Sequence, residues 1–156
     1  MKLLLVCTGN TCRSPLAEAI LRRELEARGV AGVTVSSAGT GAWDGVPASE
    51  GSYLVGLEHG LDLSNHRARL LTRELVEEAD LILTMGRSHV ARAEALGGAG
   101  RTQLLGEFAG RDGPSAEVRD PFGGELEQYR EAYRDLASLL AAVAERLAEG
   151  RGAHER

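Results

Sequence analysis

Lysine is almost absent from this chain of 156 residues: Lys2 is the only one, which leaves 17 arginines among the 18 basic side chains. We read that bias as a habit of composition, and as functional only where an arginine's position demands it. Cysteine is nearly as scarce. Cys7 and Cys12 make no disulfide framework, so reduced thiols in a cytoplasmic protein are expected. Aromatics amount to 4%. The apolar run Leu3 to Val6 is too short for a signal peptide or a membrane span. No Gly-Lys-Ser/Thr follows a glycine-rich turn, which excludes the commonest nucleotide-binding loop. No carboxylate or His/Cys cluster has ligand spacing, so neither a metal nor another cofactor is expected. The net charge of -5 and pI near 5.4 argue against nucleic-acid or anionic-membrane partners, and a monomer is expected. Any anion site must be built locally, against the average field.

What remains is a soluble composition, 43% hydrophobic and 26% charged, at the size of one domain. Leu3-Leu4-Leu5-Val6 reads as a buried central strand, Val33–Val35 and Leu81–Leu83 as further strands, and Thr102–Leu105 as a fourth. Ser14-Pro15 starts a helix whose apolar stripe is Leu16, Ala17, Ile20, Leu21 and Leu25, and Gly29 stops it. Shorter helices are expected over Ala48–His59, Arg73–Glu78 and Arg87–Leu96. The last helix is marked by Leu126, Tyr129, Tyr133, Leu136, Leu140, Val143 and Leu147 in steps of three and four. Strands alternating with helices imply an α/β fold with a parallel sheet covered on both faces. One domain over 1–148 and a frayed tail over 149–156 are expected.

The chemistry concentrates in Val6-Cys7-Thr8-Gly9-Asn10-Thr11-Cys12-Arg13-Ser14-Pro15, between the first strand and the first helix. Open α/β folds bind ligands there, at the carboxyl end of the sheet. Five residues separate Cys7 from Arg13. A loop of that length can curl until its N–H groups converge on an anion, and the helix starting at Ser14 adds its positive end. Gly9 and Asn10 tolerate the left-handed backbone such a nest needs. Arg13 can offer a two-pronged fork to phosphate oxygens. The same groups favour a Cys7 thiolate, which could attack phosphorus and form a phosphocysteine without a metal. Cysteine after an apolar strand is commonly just a small hydrophobe. Here the spacing, Gly9-Asn10, Ser14-Pro15 and the location coincide.

Phosphoryl transfer to Cys7 needs a proton for the leaving group, and hydrolysis needs a base for water. Asp120 in Val118-Arg119-Asp120-Pro121-Phe122-Gly123-Gly124 is a candidate for both, in a glycine-rich loop with Pro121 biasing it to extended backbone. From the residues alone, Asp112 and Asp44 stay open.

The segment Cys7 to Pro15 with Ala17-Glu18 resembles the signature of the low-molecular-weight protein tyrosine phosphatase family, and Asp120-Pro121-Phe122 resembles its acid loop. Ser37-Ala38-Gly39-Thr40 and Ser64-Asn65-His66-Arg67-Ala68-Arg69 are also similar to family segments, and the likeness runs from Lys2 to about Leu147. The resemblance implies a four-stranded parallel sheet in a flavodoxin-like, three-layer arrangement, acting on phosphorylated proteins. It implies Cys7 as nucleophile, Arg13 as phosphate clamp and Asp120 as acid and then base. It also implies that Thr8, Gly9, Asn10, Thr11, Cys12, Arg13 and Ser14 surround the phosphate, with Ser14 steadying the thiolate. Residues matching Asn10, Ser37 and His66 hold the loop in the family.

Substrate preference is divided by the same comparison. Thr11 stands where the tyrosine phosphatases usually carry Ile or Leu, and Phe122-Gly123-Gly124 stands where they often carry two aromatics. Both features resemble the bacterial protein-arginine phosphatase branch. Trp43 instead resembles the cleft tryptophan of tyrosine-specific members. We expect phosphoarginine to be slightly preferred over phosphotyrosine, with Thr11, Trp43 and Phe122 setting specificity; a low-molecular-weight tyrosine phosphatase proper is the alternative. Thioredoxin-coupled arsenate reductases share the loop but need two further cysteines that this chain lacks. A non-hydrolytic phosphocysteine carrier or phosphate-binding module would not need Asp120. A Cys7–Cys12 bridge on oxidation stays open. Tyr129 and Tyr133 are expected to pack, Glu74–Asp80 to form a solvated helix face, and His59, His89 and His154 to be solvated.

Overall fold

The computed structural model describes residues 1–155, with side chains through Gly150. Its elements are β1 (Lys2–Cys7), α1 (Arg13–Ala27), β2 (Thr34–Gly39), α2 (Glu50–Glu58), α3 (Arg73–Glu78), β3 (Leu81–Thr84), α4 (Arg87–Ala93), β4 (Thr102–Leu104), α5 (Leu105–Phe108) and α6 (Leu126–Glu155). All strand pairs are parallel, in the order β2-β1-β3-β4. β1 has a neighbour on each side and helices over both faces, which is why its sequence is continuously apolar rather than alternating. Leu3, Leu5 and Cys7 pack into the core formed with α1 and α6, where Leu16, Ile20, Leu136 and Leu140 lie. Leu4 and Val6 point the other way, to Val76 of α3, Ile82 of β3 and Ala93 of α4. The three-layer α/β arrangement expected from the alternation of elements is the one observed.

Local chemistry sets the boundaries. Ser49 caps α2 by accepting from the Ser52 N–H, and Thr72 caps α3 by accepting from the Leu75 N–H. The buried face of α6 carries Tyr129, Tyr133, Leu136, Leu140, Val143 and Leu147, the stripe read from the sequence. Among the described residues, no helix is long and apolar enough to cross a membrane. The tail expected over 149–156 lies for the most part outside the residues whose side chains are described.

Most boundaries fall within a residue or two of expectation, and the differences at β2, α4 and β4 have clear causes. β2 runs on past Val35 to Gly39, because Ser36–Gly39 pair with Leu4–Cys7 and that ladder outweighs the poor strand preference of small residues. α4 stops at Ala93, short of Leu96; Glu94–Gly98 forms a wider turn in which Gly97 takes φ 105°. Leu105 leaves the sheet to open α5 instead of ending β4.

The chain leaves β1 for β2 on one side and reaches β3 on the other. The carboxyl end of β1 therefore lies at the point where strand order reverses, and such sheets offer a crevice there.

Candidate active site

Cys7 ends β1 and Arg13 begins α1, so the intervening loop is pinned at both ends by buried elements. Its centre is Asn10, the one non-glycine residue with positive φ among those described, at 55° and fully buried. That backbone is costly for most side chains but tolerable for asparagine. The Asn10 side chain makes the conformation worthwhile. Its Oδ1 accepts from the Arg69 N–H at 2.9 Å, which fixes the amide's orientation, because a backbone N–H can only donate. Nδ2 then donates to Ser14 Oγ at 2.7 Å and to Ser37 Oγ at 2.9 Å. The Asn10 carbonyl accepts from His66 Nε2 at 2.7 Å. Asn10, Ser37 and His66 are thus brought together around the loop. Gly39 completes the fit: a Cβ there would strike the Thr8 carbonyl oxygen and sit 2.8 Å from the Asn10 nitrogen.

Two donors meet the Cys7 sulfur. The Asn10 N–H lies 3.2 Å away, and Ser14 Oγ 2.9 Å. Since Ser14 Oγ already accepts from Asn10, its own hydrogen is free to point at sulfur. In the same loop, the N–H groups of Thr8, Gly9, Thr11 and Cys12 meet no acceptor among the described residues. The first-turn N–H groups of α1 likewise lack intrahelical partners. Together these are the free donors that an anion nest would need.

Arg13 reaches along the rim. Nη1 donates to the Val118 carbonyl at 2.9 Å, and Nη2 lies 3.6 Å from Asp120 Oδ2. Its Nε is the one buried side-chain nitrogen or oxygen without a partner among the described residues. An orphaned buried donor costs about 1–3 kcal/mol, which a phosphate oxygen could recover. Asp120 is about half exposed and tied at Oδ1, which accepts from the Phe122 N–H at 3.0 Å. Cys7, Arg13, Asp120, Thr11 and Phe122 line one cavity of about 160 Å³. Asp112 is not among its walls, and Asp44 is engaged elsewhere, accepting from the Leu70 N–H at 2.8 Å. A second cavity of about 170 Å³, bordered by Lys2 and Arg69, contains none of the loop residues.

Trp43 is 80% exposed and does not line the cavity, whereas Phe122, 75% exposed, does. Cys12 is buried and free; its Sγ lies 3.3 Å from Ser49 Oγ and 3.7 Å from the Tyr129 hydroxyl. Burial, followed by the Cys12 contact, pushes the Tyr129 phenol above its usual range. His59, exposed, stacks on Tyr133, and His154 lies outside the described side chains.

His89 overturns its expected solvation. It is 4% exposed, because α4 begins directly behind the loop. Nδ1 accepts from the Gly86 N–H at 3.0 Å, so the proton sits on Nε2, which donates to Thr8 Oγ1 at 2.8 Å. Burial chiefly, then the Arg13 charge, depresses the imidazole from 6.5 to about 4, against the opposing pull of Asp120 and Glu117. Glu117 in turn accepts from the Arg87 N–H at 3.0 Å and pairs with its guanidinium at 2.9 Å. No composition or spacing signal pointed to His89. The position three residues into a helix after glycine, where a polar side chain can fold back onto the cap N–H, is the one clue available.

The family profile described as low molecular weight phosphotyrosine protein phosphatase matches residues 2–152. A probable low molecular weight protein-tyrosine-phosphatase, EpsP, of Ralstonia solanacearum is 40% identical over 132 residues, 83% of this chain and 84% of that protein. The protein-arginine-phosphatase of Bacillus subtilis (strain 168) is 37% identical over 153 residues, 97% of this chain and 99% of its own. Among solved structures, a YwlE arginine phosphatase mutant with a phosphorylated active site serine superposes with a TM-score of 0.88 at 36% identity, covering 94% of this chain and 95% of that one.

Proposed function

The chain belongs to the low molecular weight phosphotyrosine protein phosphatase family, and on that premise we propose that it is a cytoplasmic, cysteine-dependent phosphatase of phosphorylated proteins that prefers phosphoarginine. Cys7 Sγ attacks phosphorus in line, forming the S–P bond as the bond to the leaving nitrogen or oxygen breaks. The electron pair of that bond goes to the leaving atom, and Asp120 gives it a proton. Water then attacks phosphorus, yields its proton to Asp120, and releases inorganic phosphate as the S–P bond breaks and the thiolate returns. The loop N–H groups and Arg13 hold the equatorial oxygens throughout. The observation that carries this reading is the buried, unpartnered Nε of Arg13, a residue that lines one cavity with Cys7 and Asp120. A reactive thiolate survives best in a reducing compartment, which supports the cytoplasm.

The substrate preference rests on what lines that cavity. Thr11 does and Trp43 does not. A phenyl ring favours an apolar wall through area burial and shape. A guanidino group against hydrocarbon would leave N–H donors unpaired at a cost of about 1–3 kcal/mol, and the Thr11 hydroxyl can accept one. The second reading, phosphotyrosine hydrolysis, is supported by Phe122 at the cavity wall, where it could stack on a phenyl ring. Comparing kcat/KM on phosphoarginine and phosphotyrosine peptides of one sequence tests the order. Thr11→Ile should move the ratio towards phosphotyrosine; no movement, or movement the other way, defeats the argument from Thr11.

A further inference from the structure

Thr8 follows the expected nucleophile directly, and its N–H is one of the free donors of the nest. The far side of the loop is held by Asn10 through Ser14, Ser37, Arg69 and His66. Among the described residues, the one side-chain anchor of Thr8 is the bond from His89 Nε2–H to its Oγ1, 81 residues distant in sequence. We propose that His89 is a positioning residue for phosphoryl transfer, acting through Thr8 to hold the first turn of the loop against the β3–α4 junction. The inference rests on the reading of Cys7 as nucleophile.

The junction is a rigid place from which to work. Met85, the residue after β3, donates its N–H to the Val6 carbonyl at 3.0 Å and accepts from the Val118 N–H at 2.8 Å. Val118 is the residue whose carbonyl receives Arg13. Gly86 donates to His89, and Arg87 holds Glu117, three residues before Asp120. Thr84–His89 therefore touches the strand that carries Cys7, the acceptor of Arg13 and the approach to Asp120. Gly86 is suited to this, since a Cβ there would sit 3.0 Å from Glu117 Oε2. Neutral imidazole serves both bonds at once: an acceptor towards Gly86 and a donor towards Thr8, at opposite edges of a stiff ring. The groups facing it are the Arg13 guanidinium, Asp120 and Glu117.

The test traps phosphocysteine from a labelled aryl phosphate in the full chain and measures its rate of formation, with thermal melts alongside. His89→Leu and Thr8→Val should each slow formation about tenfold, the effect of losing one positioning hydrogen bond. Because the two substitutions break the same bond, the double variant should be within about threefold of either single one. His89→Gln can accept from Gly86 and donate to Thr8, and should stay within about threefold of wild type. Wild-type rates in Thr8→Val, losses that multiply in the double variant, or a Gln variant as slow as Leu would each overturn the role. Should His89→Leu not fold, Thr8→Val and His89→Gln decide. Absence of trapped phosphocysteine in the wild type would overturn the Cys7 reading and this inference together, whereas wild-type trapping with an unimpaired Thr8→Val overturns the His89 role alone.

Discussion

Burial of a neutral imidazole makes the fold's stability depend on pH in a calculable way. His89 is depressed to about 4 in the folded chain against 6.5 unfolded. Between those values the unfolded chain binds a proton that the folded chain refuses, so stability falls as pH falls. The contribution is complete above 6.5, drains through the window, and changes no further below about 4. At 1.36 kcal/mol per pH unit the whole window amounts to roughly 3 kcal/mol, and the interval from pH 7 to 5 to roughly 2 kcal/mol. For a domain of this size, 2 kcal/mol lowers Tm by about 4–8 °C. Urea unfolding of wild type and His89→Gln at pH 7, 6 and 5 isolates the effect, because the other histidines and the carboxylates titrate equally in both. Whatever the variant's stability at neutral pH, its loss on acidification should be smaller by roughly 2 kcal/mol. Parallel pH dependences would falsify the claim that His89 is buried neutral.

Other expectations follow from the same site. Cys7→Ser and Cys7→Ala should abolish turnover with the fold intact, since neither side chain is nucleophilic enough; turnover within tenfold of wild type would defeat the covalent mechanism. Arg13→Lys should lose most activity, because an ammonium cannot form the fork, and kcat/KM on an aryl phosphate reads it. Asp120→Asn should slow both formation and breakdown of phosphocysteine while sparing phosphate binding, with a steeper dependence on leaving group; an unchanged rate on guanidino phosphates would move the acid elsewhere. Gly39→Ala drives a methyl against the Thr8 carbonyl and the Asn10 nitrogen, and should destabilise by about 1–3 kcal/mol while lowering kcat. An unaltered melting curve and kcat would show that the loop yields there.

The parts of this molecule that were legible in sequence are those whose causes are local. A buried strand, a stop at Gly29, a stripe on α6 and a loop of fixed length between Cys7 and Arg13 each announce themselves within a few residues. Asp120 shows the limit. Its residues alone could not separate it from Asp112 and Asp44; what separates them is that β1 and the approach to α6 bring Asp120 to the cavity while Leu70 occupies Asp44. Trp43 shows it from the other side, since an exposed ring beside a signature segment need not line the cavity.

His89 was illegible for a related reason. Arg87-Ser88-His89-Val90 reads as an ordinary polar helix start, and nothing nearby marks it for burial. Its environment is made by the register that sets Val6 beside Thr84, which carries the β3–α4 junction up behind Thr8. The register is itself written in two apolar runs, Leu3–Val6 and Leu81–Leu83, each of which forms the strand that its composition predicts. What neither run states is how far beyond its last apolar residue pairing continues, or which turn then meets which loop. One residue of slip between β1 and β3 would turn the even face of the strand towards α1 and α6 and carry His89 away from Thr8. The chemistry of the loop is local, but the rigidity that chemistry requires depends on a pairing between segments some eighty residues apart, as the separation of 81 between Thr8 and His89 makes plain.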